Sequence, residues 1–307
     1  MICKIFRFTS NDKLFAEKKQ WFNGKMKPSH TKMVNNFVLI KDRNTQLINI
    51  LNELRKYPER KVLVLSGRRE HLTFLKETID KHVEEDISKG ILEPMEYKTF
   101  YYMGKMKENY RIEAEDTGDM FFGTYEMAHE GLDIGRLNTI VLATPKKDIE
   151  QSVGRVMRKI LKEGDLRPLI IDFRDEISIY TAQGNTRIKQ YNRGKYNIEN
   201  YYLHNNRIMN LTEHLRTERK TQNEIDEYIQ KNPSEDYIPE WKSILNLQIV
   251  EGENEDKPVE VYEVDPDIVD IDSEDENEDK DEDEDEKINE NNKNDKYAKY
   301  DYSTYLF

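Results

Sequence analysis

Three short stretches of this chain carry the residues with the most specific chemistry. The first is Ser66-Gly67-Arg68-Arg69, which follows an apolar run at 61–65. A glycine there lets the backbone come close to a ligand. Two arginines at a helix start, beside free N–H groups, suit a phosphate oxygen. The second is Phe122-Gly123-Thr124, where Thr124 offers a hydroxyl and a nearby N–H to a nucleic-acid phosphate. A short helix to Glu130 follows. Gly131 fits a left-handed cap that ends the helix and turns Asp133 back toward the strand ends. The third is Gln151-x-x-Gly154-Arg155-x-x-Arg158. At the helical angle Ile149, Val153, Val156 and Ile160 form one stripe, and Gln151, Gly154, Arg155 and Arg158 project from the other side. Taken singly, each has a plainer reading: a solvated helix start, an ordinary helix-ending turn, a surface helix.

Positioning these residues requires an alternation of strands and helices. Apolar runs at 61–65, 97–103, 119–122, 138–143 and 169–173 read as strands, and each is followed by a helical pattern. A further short strand is expected at 37–40, before a helix over 43–56 with Leu47, Ile50, Leu51 and Leu54 on one face. Strand–helix alternation implies an α/β domain, a mostly parallel sheet with helices on both faces. In such sheets ligands bind at the carboxyl ends of the strands, where all three stretches fall. The organisation expected is an N-terminal entry segment over 1–36 with an entry strand and irregular structure, the α/β domain over 37–195, a helical extension over 196–250, and a tail over 251–307. The segment around Trp241 is expected to lie back on the domain.

Together the stretches at 122–135 and 151–158 resemble motifs V and VI of superfamily-2 helicases, and Ser66–Arg69 resembles motif IV. Tyr102-Met103-Gly104-Lys105-Met106-Lys107 resembles a nucleic-acid-contacting loop of the same family. The similarity runs over about 30–195 and is nearest to helicases of large nucleo-cytoplasmic DNA viruses. It implies a RecA-like fold, the second of the two motor domains in those enzymes. It also implies roles. Ser66, Arg68, Arg69, Gly104, Lys105 and Thr124 would contact the nucleic-acid backbone. Gly131 and Asp133 would serve the nucleotide, Asp133 at its ribose. Gln151, Arg155 and Arg158 would act at the γ-phosphate, where the planar guanidinium fork stabilises charge spread over several oxygens.

The resemblance also sets an expectation about what these residues need. No Gly-x-x-x-x-Gly-Lys-Ser/Thr phosphate loop occurs in the 307 residues. ATP and Mg²⁺ are therefore expected only in complex with a first RecA-like domain, supplied by a separate polypeptide, with DNA or RNA as the other partner. An ATPase-dead nucleic-acid-binding or regulatory module is the alternative. Asp172, Asp175 and Glu176 at a strand end look like a magnesium site but are expected to be structural, and the six histidines make no metal pattern with Cys3. One cysteine permits no internal disulfide and suits a reducing, intracellular compartment, a viral factory or virion among them. No apolar run is long enough to span a membrane. The net charge of −13 hides an asymmetry: 251–290 holds 22 acidic residues and three lysines, which leaves 1–250 at +5. Such a run of like charge is expected to be disordered.

Overall fold

The computed structural model describes residues 1–93, 96–104, 106–130, 134–149, 153–154, 161–204, 207–210 and 241–250. Among them the strands are β1 (Ile2–Thr9), β2 (Lys19–Phe22), β3 (Lys25–Pro28), β4 (Val62–Ser66), β5 (Thr99–Tyr102), β6 (Met120–Thr124), β7 (Thr139–Leu142), β8 (Leu169–Asp175), β9 (Asn197–His204) and β10 (Arg207–Asn210). The helices are α1 (His30–Phe37), α2 (Lys41–Leu54), α3 (Arg69–Ser88), α4 (Glu108–Thr117), α5 (Tyr125–Glu130), α6 (Ile179–Arg193) and the single turn α7 (Trp241–Ile244). Strands β2 and β3 form a separate hairpin. The others make one sheet in the order β10-β9-β1-β8-β7-β4-β6-β5. Every pairing in it is parallel except β10 on β9. This is a RecA-like α/β sheet.

Strands β4, β6, β7 and β8 are buried at every position, which is why they read as continuous apolar runs rather than alternating ones. Their alternate residues serve two cores. On one face Leu63, Leu65, Phe121, Ile140 and Ile170 pack with Ala114 of α4, Tyr125 and Ala128 of α5, and Ile188 and Tyr191 of α6. The other face is covered by α2 and α3, whose Leu47, Ile50, Leu51, Leu72, Leu75 and Ile79 are buried. Each such side chain contributes roughly 1.5–3 kcal/mol by leaving water.

Three expectations change. The run at 37–40 is not a strand: Phe37 closes α1, and Val38, Leu39 and Ile40 donate to Val34, Asn36 and Phe37 in successive turns. Four apolar residues, three of them buried, fit a helix end as well as a strand. The entry strand expected in 1–36 is present as β1, but it and the extension belong to the sheet itself. Strand β1 lies inside the sheet between β8 and β9, and 197–204 and 207–210 are strands instead of helix. Tyr201 stacks on Phe6 with ring centroids 5.1 Å apart, and Tyr202 meets Thr9 at 2.6 Å, so contacts to β1 decide the conformation. The helical pattern expected further on, the acidic tail, and most of the helix at 148–159 lie outside the described residues. Residues 241–250 do lie back on the domain: Trp241 packs 5.5 Å from Phe6, and Arg167 N–H donates to the Gln248 carbonyl at 2.8 Å.

The acidic end of β8 is structural. Arg187 of α6 grips Asp172 with two bonds of 2.8 Å, and the Tyr191 hydroxyl donates to the same carboxylate at 2.9 Å. Arg43 of α2 grips Asp175 at 2.8 and 2.9 Å. Arg174 meets Glu176 at 2.8 Å. All six charged side chains are essentially buried. Removing one partner of such a pair leaves an uncompensated charge, so Arg187→Ala should cost about 3–5 kcal/mol, seen as a lower urea midpoint. Replacing Asp172 and Arg187 together by leucine should recover most of that loss. Equal losses in both variants would assign the effect to helix packing.

Candidate functional site

The parallel strands all deliver their loops to one edge, and β4 is where the chain leaves in two directions. Strands β6 and β5 lie on one side of it, β7 and β8 on the other. Loops diverging from such a point leave a crevice between them, where ligands of open α/β sheets sit. The register is direct: Ser66 is the ladder partner of Thr124, and Leu65 that of Leu142. The turns after β4, β6 and β7 therefore lie side by side.

Hydrogen bonds lock these turns together. The Gly67 N–H donates to the Thr144 hydroxyl at 2.8 Å, and the Tyr125 hydroxyl donates to the Thr144 carbonyl at 2.5 Å. Thr144 thus joins the loops after β4 and β6 to its own. Gly123 is required by the neighbouring strand, because a Cβ there would stand 2.9 Å from the Tyr102 carbonyl oxygen. The Thr124 side chain is 6% exposed, and its oxygen is 3.5 Å from the Met127 N–H in the first turn of α5. Gly104, exposed in the turn after β5, sits beside α5: a Cβ there would be 3.8 Å from the Met127 sulfur.

The first turn differs from expectation in one residue. Ser66 is fully buried and faces inward, not toward a ligand. Its hydroxyl oxygen accepts from the Arg68 N–H at 3.1 Å and lies 3.2 Å from Nδ1 of His71. The other ring nitrogen of His71 is 3.1 Å from Oδ1 of Asn44, whose amide donates to the Val38 carbonyl at 2.8 Å. One assignment satisfies every partner: Nε2–H of neutral His71 donates to Asn44, and the Ser66 hydroxyl donates to Nδ1. Ser66 is a brace that shapes the turn. Arg68 donates from Nε to Asn35 of α1 at 2.6 Å and from Nη1 to the Gly67 carbonyl at 2.7 Å, while Arg69 is exposed at the first position of α3.

Of the remaining candidates, Lys105, Gly131, Asp133, Gln151, Arg155 and Arg158 lie outside the described residues. Within the third stretch, Ile149 and Val153 of the apolar stripe are buried and Gly154 of the opposite side is exposed. Thr144, Asn44, His71 and Arg43 went unread in the sequence. A threonine just past an apolar strand and before Pro145 was the available signal for Thr144. The histidine's partner lies 27 residues away, and nothing local marks it.

The strand order and the loops at its carboxyl edge are those of a RecA-like α/β domain, and the chain has a viral relative whose name is that of a helicase. Over 206 residues it is 32% identical to a candidate ATP-dependent RNA helicase, L396, of Acanthamoeba polyphaga mimivirus. The match covers 66% of this chain and 37% of that protein, so the chain spans little more than a third of its relative's length. No protein-family profile matches the chain. Among solved structures it is similar to phage T4 UvsW, at 18% identity over 66% of this chain and 41% of that one, with a TM-score of 0.46. It is also similar to the C-terminal domain of the DEAD-box protein Dbp5, at 13% identity over 62% and 92% of the two chains, with a TM-score of 0.39. None of the described helices is long and apolar enough to cross a membrane.

The buried histidine makes the edge sensitive to acid. Burial, and then the charge of Arg43, hold the His71 imidazole well below its usual 6.5. The unfolded chain takes up a proton on His71 near pH 6.5 and the folded chain does not. Stability is therefore complete above that pH and falls as pH drops toward the folded-state value, by up to about 1.4 kcal/mol per unit. The melting temperature should decline between pH 7 and 5.5, and His71→Gln should flatten part of the decline. A slope unchanged in that variant would move the effect to other groups.

Proposed function

We propose that this chain supplies the second motor domain of an ATP-dependent nucleic-acid helicase or translocase. The observation that carries the reading is the convergence of the turns after β4, β5, β6 and β7 on one edge, at the switch point of the sheet. Relationship to a helicase-named viral protein over 206 residues supports it. In this reading Arg68, Arg69, Gly104, Lys105 and Thr124 follow the phosphate backbone of a strand laid across that edge. Gly131 turns Asp133 toward a nucleotide ribose. Gln151, Arg155 and Arg158 reach the γ-phosphate of an ATP held chiefly by another domain. That other domain is a first RecA-like domain with its own phosphate loop. ATP and Mg²⁺ bind only in the joint assembly, because no residue of the three stretches is suited to cradle the triphosphate or hold the metal. The chemistry left to this chain is electrostatic: guanidinium groups placed against charge that develops as the γ-phosphoryl group leaves.

Activity divides the roles. The purified chain should hydrolyse no ATP, with or without nucleic acid, and the chain copurified with a phosphate-loop polypeptide from its source should do so. In that complex Arg155→Ala or Arg158→Ala should lower turnover by about 10³-fold while changing strand affinity little. Thr124→Ala should weaken strand binding and its coupling to hydrolysis. Robust turnover by the chain alone, lost in Arg155→Ala, would contradict the need for a partner. Loss of melting temperature alone in all three variants would make the residues structural.

A further inference from the structure

The hairpin of β2 and β3 is absorbed by none of the motifs above. Asn23 and Gly24 form its two-residue tip, both with positive φ, 48° and 74°, as the tightest hairpin turns require. Trp21 and Met26 are ladder partners and so share a face. That face points outward: Trp21 is 73% exposed and Met26 50%. An indole this open to water is unusual, since tryptophan usually buries most of its surface. Around it, residues 18–32 hold five lysines and no acidic residue. Lys18, Lys19, Lys25 and Lys32 are exposed; Lys19 shares the face of Trp21, Lys25 stands beside the tip, and Lys27 lies on the other face with Nζ 5.1 Å from the centre of the Phe22 ring.

The hairpin stands at the carboxyl edge and is tied to it on two sides. At its start, Glu17 accepts from the Ser178 hydroxyl at 2.6 Å, in the turn between β8 and α6, and pairs with Lys19 at 2.9 Å. At its end, Ser29 donates its N–H to the Lys18 carbonyl at 2.7 Å and its hydroxyl to Gln20 at 2.9 Å, and opens α1. Helix α1 then holds Arg68 through Asn35. The exposed indole and its lysines are thus joined, through one helix, to the turn after β4.

We propose that this hairpin is a second contact for single-stranded nucleic acid, with an unpaired base stacked on Trp21 and flanking phosphates neutralised by Lys19, on the same face, and by Lys25 at the tip. This rests on the nucleic-acid reading of the carboxyl edge and extends it to residues outside the three motif stretches. The charge selects a polyanion, and the open aromatic face selects one with flat rings. Every base has such a face, so the contact is indifferent to sequence. A base within a duplex is already stacked and paired, so the occupant is a single strand.

The test uses the full chain with Trp241→Phe, which leaves Trp21 as the sole indole. It is titrated with fluorescein-free oligothymidylate and oligouridylate for Trp21 emission, and with labelled strands for anisotropy. Binding should quench Trp21. Trp21→Ala, which alters an exposed residue and should melt as the parent does, should weaken affinity about tenfold, and Trp21→Phe should restore most of it. Lys19→Gln with Lys25→Gln should reduce the salt slope of log affinity by about 1.4. Saturating anisotropy with unchanged Trp21 emission and full affinity in Trp21→Ala would overturn the hairpin contact and leave the edge reading standing. Equal quenching by polyglutamate would identify an acidic protein segment as the occupant, against the proposal. No binding of either oligonucleotide by the parent chain would overturn both.

Discussion

A carboxylate taken out of water must meet a cation or give up its charge, and the end of β8 is built on that constraint. Three acids and an arginine occupy Asp172 to Glu176, each turned into protein. Arg43 brings α2 to Asp175 and, through Nη2, to the Ala143 carbonyl at the end of β7, 2.8 Å away. Arg187 brings α6 to Asp172 and, through Nη1, to the Lys146 carbonyl at 2.6 Å. One helix from each face of the sheet is thereby fixed to the same two strand ends. Exchange of such pairs for apolar residues is often neutral in stability, so their value here is geometric. They set where the turn after β7 lies, and Thr144 on that turn sets the two beside it.

The same logic operates at smaller scale under the turn after β4. His71, Asn44 and Ser66 form a chain in which each donor has one acceptor, with no water needed to complete it. Half-satisfied, it would destabilise the core. Complete, it admits one rotamer for each member. The half-buried turn at Gly67 and Arg68 therefore rests on a rigid support. Both backbone N–H groups of the turn are held within the protein, by Thr144 and Ser66, so what the support fixes is the direction in which the side chains of Arg68 and Arg69 leave it.

Legibility followed burial. Strands β4, β6, β7 and β8 could be read because both their faces are covered, which leaves apolar runs bounded by turn residues. The candidate stretches could be read because glycine, threonine and arginine stand at fixed offsets from those runs. Strand β9 could not. Its Asn, Glu and Tyr residues carry no clean period, and its conformation is decided by β1, about 195 residues earlier in the chain. Residues 37–40 misled for the opposite reason, since a buried helix end and a short strand look alike in four letters. Ser66 shows a further limit. Its position beside the crevice was evident, while the direction of its hydroxyl depends on a histidine and an asparagine brought together by tertiary packing. The exposed Trp21 was invisible too, because nothing in a sequence says that a tryptophan will be left in water.

The placement of β1 bears on how the molecule is made. Strands β4 to β7 lie between residues 62 and 142 and are contiguous in the sheet, so β6 can join β4 to β5 as soon as it leaves the ribosome, and β7 can follow. Strand β1 has no such neighbour. It waits for β8, with Ile2 meeting Leu169, and then for β9. Through that interval an apolar segment with two unpaired edges is tethered to a growing chain. Closing a loop of this length is slow, and open strand edges are where association between chains begins. Yield from synthesis should therefore depend on how fast the ribosome delivers residues 169–204, a kinetic demand made by topology alone.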